Sequence, residues 1–210
     1  MILEIFPCGP IATNAYLIGC PNTKQAAIID APQGCAKPLL QRIKSLDLKP
    51  CMILLTHSHW DHLAGLAELK KLVDAPVYVL EADKPNVREP GADQLPLYFA
   101  IEGVEPDHLL KEGDVLKVGE LTIEVIHTPG HTPGGVCFYL PNQHVLFSGD
   151  TLFQGTLGNL SLPTARPALM WSSLKKLAKL PPQTKVYPGH GDSTTIGKEA
   201  WLEDAEEFFG

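Results

Sequence analysis

The segment THSHWDH, residues 56–62, directly follows the uninterrupted apolar run Cys51–Leu55. Such a run is typical of a β-strand covered on both faces, because a half-exposed strand alternates apolar and polar residues. A strand of this kind needs a layer of structure on each side. The sequence therefore predicts a layered α/β fold that places three histidines and one aspartate at the end of a central strand.

Three other predicted strands also end in histidine or aspartate within a glycine-containing turn. TPGHTPG (residues 128–134) contains His131, PGHG (residues 188–191) contains His190, and Ser148-Gly149-Asp150-Thr151 supplies a carboxylate. Turns at strand ends are where a sheet fold directs side chains into a common cleft. We therefore expect these side chains to meet the THSHWDH segment at one edge of the fold.

The spacing of these residues indicates a metal site. His57 and His59 are two residues apart, so in extended chain they point the same way and can bind one ion. Asp61 and His62 begin the next helix, face another direction and suit a neighbouring ion. Imidazole and carboxylate together bind zinc, iron or manganese, and zinc is the expected metal.

The remaining candidates complete two sites. His131 fits the first ion and His190 the second, while Asp150 is placed to bridge both. Two ions ~3.5–4 Å apart can activate a water and hold an attacked oxygen. The complete predicted ligand set is His57, His59, Asp61, His62, His131, Asp150 and His190.

Strands alternate with helical patterns in both halves of the chain, which favours two sheets packed back to back and covered by outer helices, a four-layer αββα sandwich. Residues 115–148 predict an antiparallel meander, and Leu63–Val73 and Lys198–Phe209 each show helical periodicity. Glu81–Leu110 contains four prolines, so we expect short helices and a loop that covers the cleft.

Composition limits the other classes of function. The 210 residues predict a single domain spanning 1–210, and the net charge of −7 argues against a nucleic-acid partner. No apolar run approaches the ~20 residues of a membrane helix, and the N-terminus does not resemble a signal peptide. Five scattered cysteines suit reduced thiols in a cytoplasmic protein.

With these motifs the chain resembles the metallo-β-lactamase superfamily. THSHWDH matches its HxHxDH signature, and TPGHTPG, SGDTLF and PGHG match its later motifs, from the first strands to about Gly197. The resemblance implies an αββα sandwich with metals at one edge, and it implies that Asp30 supports the ligands. Within the superfamily, TPGHTPGG, DTLF and YPGHGDSTTIG are most similar to short glyoxalase II-type hydrolases.

The sequence also departs from that pattern. Thirteen residues follow Gly197, so we expect the glutathione-binding helical domain of full-length glyoxalase II to be absent. Asn159 and Ser161 stand where short relatives usually carry arginine and aspartate, and Arg166 lies nearby as a possible substitute cation. The Asp61–His62 pair differs from the usual class B β-lactamase sites, which argues against antibiotic hydrolysis.

Three functions remain open. The first is hydrolysis of a small-molecule thioester such as S-lactoylglutathione by a hydroxide held between two metals, with Asp61 orienting the nucleophile. The second is a persulfide dioxygenase with one iron on His57, His131 and Asp150. The third is a non-catalytic binding module.

Two further groups of mainly apolar residues are candidates for contact surfaces. Pro90, Gly91, Pro96, Tyr98 and Phe99 are candidates for an apolar wall of the cleft, and Trp60 is a candidate for its lining. In the C-terminal tail the predicted apolar face suits packing on its own domain or a homodimer contact; its residues are Trp201, Leu202, Ala205, Phe208 and Phe209.

Overall fold

The computed structural model describes residues 1–210 and contains two six-stranded sheets. The first sheet has its strands in chain order: β1 (Ile2–Cys8), β2 (Thr13–Gly19), β3 (Gln25–Ile29), β4 (Lys49–Leu54), β5 (Val77–Leu80) and β6 (His108–Leu110). β1 to β3 are antiparallel neighbours, and β3 to β6 run parallel.

The second sheet is built mainly from the later part of the chain. Its strands are β7 (Val115–Val118), β8 (Leu121–His127), β9 (Val136–Leu140), β10 (Val145–Gly149), β13 (Lys185–Pro188) and β14 (Thr194–Thr195), with the separate hairpin β11 (Leu152–Phe153) and β12 (Thr156–Leu157) between them. The order is β14-β13-β10-β9-β8-β7. β7 to β10 form the predicted antiparallel meander, and β13 joins β10 in parallel.

Helices connect and cover the sheets. They are α1 (Ala36–Ser45), α2 (Trp60–Leu63), α3 (Leu66–Val73), α4 (Lys84–Arg88), α5 (Pro167–Ala178) and α6 (Ala205–Phe209), with short 3₁₀ turns at Glu81–Asp83, Pro141–Gln143, Ile196–Lys198 and Ala200–Leu202. No helix has the length and apolar character needed to cross a membrane.

Strand β4 and the residue after it explain the layering. Ile53 and Leu55 pack into the cluster that contains the α1 and α3 side chains, whereas Met52 and Leu54 pack between the two sheets. Successive strand residues face opposite sides, so an apolar run is buried on both. A third cluster joins the outer face of the second sheet to α5. The predicted αββα sandwich is confirmed.

The helix predicted over Leu63–Val73 is divided in two at Gly65. The Gly65 N–H donates to the Ala31 carbonyl at 2.7 Å. A Cβ at this position would lie 2.3 Å from the Pro32 carbonyl oxygen, so only glycine fits. The break separates α2, which carries Asp61 and His62, from α3.

The predicted tail helix over Lys198–Phe209 is also wrong as one element. It consists of 3₁₀ turns followed by the short α6. Leu202 and Ala205 pack under α5, but Phe208 is 67% exposed and leaves the predicted face. Residues 81–110 form the expected short helices and loop, and they also end in β6, a strand that the sequence did not predict.

The two sheets place five strand ends at one edge of the fold. β3 and β4 run parallel in the first sheet, and β10 and β13 run parallel in the second, with β8 in the same direction. Every sequence motif singled out above follows one of these ends. The fold therefore gathers residues from positions 30 to 190 into one region.

Candidate metal centre and cleft

His57, His59 and His131 form the first group of side chains at this edge. One ligand atom of each lies within 4.8 Å of the others. The rings of His57 and His59 are 4.8 Å apart, and those of His59 and His131 are 4.4 Å apart. The segment is extended at His59, so the two-residue spacing places both imidazoles on one side, as the sequence predicted.

Asp61, His62 and His190 form the second group. The Nε2 atom of His190 lies 3.1 Å from Asp61 Oδ2, and that of His62 lies 3.3 Å from the same oxygen. Asp61 and His62 are in the first turn of α2, where the chain changes direction after His59. The second pair of the motif therefore faces a different point from the first pair.

Asp150 lies between the two groups. Its Oδ1 is 3.3 Å from His62 Nε2, and its Oδ2 is 3.4 Å from His131 Nε2 and 3.6 Å from His190 Nε2. A Cβ at Gly189 would come within 2.0 Å of Asp150 Oδ1, so the PGHG turn needs glycine to approach this carboxylate. All seven side chains selected from the sequence are thus brought together.

The cluster contains buried polar atoms without a hydrogen-bond partner in the protein. They are the Nε2 atoms of His57, His59, His62 and His131, and Oδ1 of Asp150. Unpaired buried polar atoms are rare in folded proteins because each one costs free energy. Five of them converging on one place fit a group of metal ligands, since a cation would satisfy them together.

The histidines of the cluster differ in the direction in which their pKa is shifted. Burial and the neighbouring histidines hold the pKa of His57 well below its usual range, and burial lowers the pKa of His59 to about 3. Burial also opposes charge on His62, but the carboxylates of Asp61, Asp150 and Asp30 outweigh it and raise the pKa of His62. Metal binding replaces a proton at such a position.

Asp30 fixes the orientation of the His62 imidazole through a hydrogen bond to its Nδ1 atom. Its Oδ2 accepts hydrogen bonds from His62 Nδ1 at 2.8 Å and from the Thr56 hydroxyl at 2.7 Å, and its Oδ1 accepts the Thr56 N–H at 2.8 Å. These contacts turn the His62 Nε2 atom toward Asp61 and Asp150. A carboxylate on the far nitrogen is how proteins usually orient a ligating histidine.

Asp83 supports the cluster although no sequence motif marks it. This buried carboxylate accepts the Ser58 N–H at 2.8 Å, the Gly134 N–H at 2.6 Å and the Thr132 hydroxyl at 3.0 Å. Ser58 lies between two candidate ligands of the first motif, and Thr132 follows His131. One side chain thus ties together two loops that deliver ligands. An aspartate in a proline-rich stretch gave no signal of this role.

We expect Asp83→Ala to lower metal affinity by about 10–100-fold and unfolding free energy by about 2–3 kcal/mol, because three buried donors lose their acceptor. Metal titration and denaturant unfolding measure the two effects. Asp107→Ala is the matched control, because Asp107 accepts the Val77 N–H at 2.8 Å away from the cluster. Equal metal affinities in the two variants would contradict this role for Asp83.

Strand β2 holds the PGHG turn, a role that the sequence did not indicate. The Thr13 hydroxyl donates to Asp61 Oδ2 at 2.7 Å, the Tyr16 hydroxyl donates to the Pro188 carbonyl at 2.5 Å, and the Asn14 amide donates to the Pro188 carbonyl at 3.1 Å. The bonds of Tyr16 and Asn14 join residues about 170 positions apart, and the bond of Thr13 links β2 to α2. Nothing local in the sequence could indicate them.

A cleft of about 750 Å³ opens above the cluster. Candidate ligands and apolar side chains line it together: His59, Asp61, His131, Asp150 and His190, with Pro10, Ile11, Trp60, Leu95, Pro96, Tyr98, Phe99 and Leu162. Trp60, Pro96, Tyr98 and Phe99 therefore lie where the sequence analysis placed them. Pro90 and Gly91 do not line the cleft.

Asn159, which stands where short relatives usually carry arginine, contacts the cluster through its backbone. The carbonyl of Asn159 accepts a hydrogen bond from His131 Nδ1 at 2.9 Å, which orients that imidazole. The Asn159 side chain instead accepts the Ser161 N–H. Arg166 is exposed at the start of α5 and does not line the cleft, so it does not replace the missing cation.

The histidines outside the motifs have structural surroundings. His108 is exposed on β6 and stacks on Tyr78. His127 Nε2 hydrogen-bonds the Pro133 carbonyl at 3.0 Å and so supports the turn that carries His131. All five cysteines are unpaired.

Comparison with solved structures shows the same architecture. BLEG-1, a B3 metallo-β-lactamase, superposes with a TM-score of 0.86 at 38% identity, covering 94% of this chain and 96% of that one. TTHA1623, solved in a di-iron-bound form, gives 0.80 at 38% identity and the same coverages. ETHE1 from Myxococcus xanthus gives 0.80 at 27% identity, covering 97% and 83%.

Sequence relatives extend over nearly the whole chain. An uncharacterized protein of Aquifex aeolicus is 39% identical over 95% of this chain and 94% of its own length. Hydroxyacylglutathione hydrolase GloC of Haemophilus influenzae is 36% identical over 95% of both. The metallo-β-lactamase superfamily profile matches residues 8–190. With its two sheets, its strand-end motifs and this match, the chain belongs to the metallo-β-lactamase superfamily of metallo-hydrolases.

Proposed function

We propose that the chain is a binuclear metal-dependent thioester hydrolase of glyoxalase II type. The observation that carries the proposal is the pair of neighbouring ligand groups with Asp150 between them. His57, His59 and His131 would hold one ion, Asp61, His62 and His190 the other, and Asp150 both. The similarity to GloC supports the choice of a thioester over other hydrolysable bonds.

When bound, two divalent cations would lower the pKa of a water toward ~7 and polarise the carbonyl of the substrate. The side chains of this protein hold the geometry in which that chemistry takes place. Asp61, fixed by the Thr13 hydroxyl, would orient the attacking water. The net reaction adds water across the thioester and yields a carboxylic acid and a thiol.

The expected metal content is two ions per chain, because seven candidate ligands are present and a tetrahedral site needs only four. Elemental analysis of protein purified without added metal measures this number. Chelation should abolish thioester hydrolysis, and adding back zinc, iron or manganese identifies the metal that restores it. A preparation that is fully active with a single ion per chain would overturn the binuclear assignment.

Metal content and activity measured on the same preparation also distinguish the hydrolase from a dioxygenase and from a binding module. One iron per chain with oxygen consumption on a persulfide would identify a dioxygenase. Metal binding without turnover of any substrate would identify a binding module. Because the chain is similar to BLEG-1, the assay also includes a β-lactam, although the Asp61–His62 pair argues against antibiotic hydrolysis. Preferential turnover of the β-lactam would reverse that expectation.

A further inference from the structure

We propose that the cleft selects neutral thioesters bearing an apolar group, and that it disfavours thioesters of the anionic peptide glutathione. This specificity rests on the proposed hydrolase activity and names its substrate class. The apolar group belongs to either the acyl part or the departing thiol. An apolar group on either part would make the same kind of contact with the cleft, and a comparison of two phenyl-bearing esters distinguishes the two cases.

The apolar wall of the cleft is formed by aromatic side chains from two segments. Trp60, from the ligand motif, contacts Tyr98 and Phe99 with ring centroids 5.6 and 5.8 Å apart. Tyr98 is 75% exposed and Ile11, also in the lining, is 51% exposed. Large apolar side chains that remain exposed in a concave site mark a place where a ligand buries apolar surface.

The wall begins next to the candidate metal ligands. Trp60 lies between His59 and Asp61 in sequence, and all three line the same cleft. We therefore expect one substituent of a carbonyl held over the ligand cluster to reach the Trp60 ring. An aromatic or aliphatic substituent fits this position because aromatic rings pack favourably edge to face or offset.

Apart from the ions of the proposed metal centre, the cleft offers no cationic partner for the carboxylates of glutathione. No lysine or arginine lines it, and apart from the Tyr98 phenol its ionisable groups are the candidate ligands Asp61, Asp150 and three histidines. The chain as a whole carries a net charge of −7. The glutathione part of a thioester has two carboxylates and one ammonium group. Burying a carboxylate without a cationic or hydrogen-bonding partner is unfavourable, so binding of glutathione gains little here.

The first experiment compares kcat/KM of the metal-loaded protein for four thioesters. They are S-acetyl-N-acetylcysteamine, its 3-phenylpropanoyl analogue, the acetyl ester of 3-phenylpropanethiol, and S-lactoylglutathione. At least one phenyl-bearing ester should exceed both the small acetyl ester and S-lactoylglutathione by about tenfold or more. The better of the two phenyl esters identifies the side of the bond that faces the wall.

Variants then test the wall itself. Tyr98→Ala should lower kcat/KM for the preferred phenyl ester about tenfold more than for the acetyl ester. Phe208→Ala is the matched control, because Phe208 is an exposed aromatic residue, 67% accessible, that lies outside the cleft. The kcat/KM values of Phe208→Ala for the phenyl ester and the acetyl ester should both equal those of the unaltered protein. Equal losses on the two esters in Tyr98→Ala would overturn the role of the wall.

A binding measurement distinguishes failure of this inference from failure of the hydrolase proposal. The probes are two thioethers that cannot be hydrolysed, S-(3-phenylpropyl)-N-acetylcysteamine and S-methylglutathione, titrated calorimetrically into the metal-loaded protein. The phenyl thioether should bind at least tenfold more tightly, even if no thioester is turned over. Equal or tighter binding of S-methylglutathione, or S-lactoylglutathione as the best substrate, would overturn the inference while leaving the hydrolase proposal intact.

Discussion

His59→Ala is expected to lower kcat/KM for a thioester by at least about a thousandfold, which corresponds to ~4 kcal/mol of transition-state stabilisation. The His59 Nε2 atom is buried and makes no hydrogen bond within the protein, so its removal breaks no protein contact of that kind. We therefore expect the unfolding free energy of the metal-free chain to fall by less than ~1.5 kcal/mol. Kinetics, elemental analysis and denaturant unfolding measure the three quantities.

Two comparison variants make this prediction specific. His108→Ala removes an exposed histidine on β6 and should retain metal and activity. His62→Ala should lose activity and also about 3 kcal/mol of stability, because it leaves the buried Asp30 carboxylate without its histidine partner. If His59→Ala unfolds as a whole, with no separate loss of metal, then His59 is a structural residue and the ligand assignment is wrong.

Asp30→Ala is expected to lower stability by ~3–5 kcal/mol and metal affinity by about 10–100-fold. The alanine leaves the Thr56 N–H, the Thr56 hydroxyl and His62 Nδ1 without their acceptor. Asp30 also has a left-handed backbone with φ of +60°, which alanine tolerates poorly. Thermal unfolding and competitive metal titration measure the two losses.

Asp30→Asn separates the two effects. Asparagine tolerates the left-handed backbone and keeps one acceptor oxygen for the Thr56 N–H. The NH2 group that takes the place of Oδ2 cannot accept the hydrogen bond from His62 Nδ1–H, so the imidazole loses its fixed orientation. We therefore expect this variant to recover much of the stability but little of the metal affinity. Recovery of both in equal measure would mean that Asp30 supports the fold alone.

The candidate ligands could be selected from the sequence because their signal is local. Each lies in a short motif directly after an apolar strand, and a two-residue spacing such as that of His57 and His59 fixes their relative direction in extended chain. The structure brings all seven together, and their role as ligands stays a prediction that the His59→Ala experiment checks.

The helix boundaries could be predicted less well, because packing decided them. Periodicity in the sequence indicated one helix over Leu63–Val73, but the chain passes so close to the Pro32 carbonyl that it breaks at Gly65. The tail was divided for a similar reason, since Leu202 and Ala205 are buried under α5 with Trp201 packed beside them, whereas Phe208 is exposed. Local periodicity reports which residues are apolar but not which neighbours they meet.

The layered sandwich and the chemistry available at one edge could be predicted from the amino-acid order, because alternation along strands and motifs at their ends are local properties. Which distant groups orient that chemistry depends on how the layers pack. Asp83 reaches Gly134 across 51 residues, and Tyr16 reaches Pro188 across 172. The sequence offered Trp60, Tyr98 and Phe99 only as candidates for the cleft wall, and the fold brings their rings into contact. Contacts between residues far apart in sequence form only when the layers pack, so no local pattern encodes them.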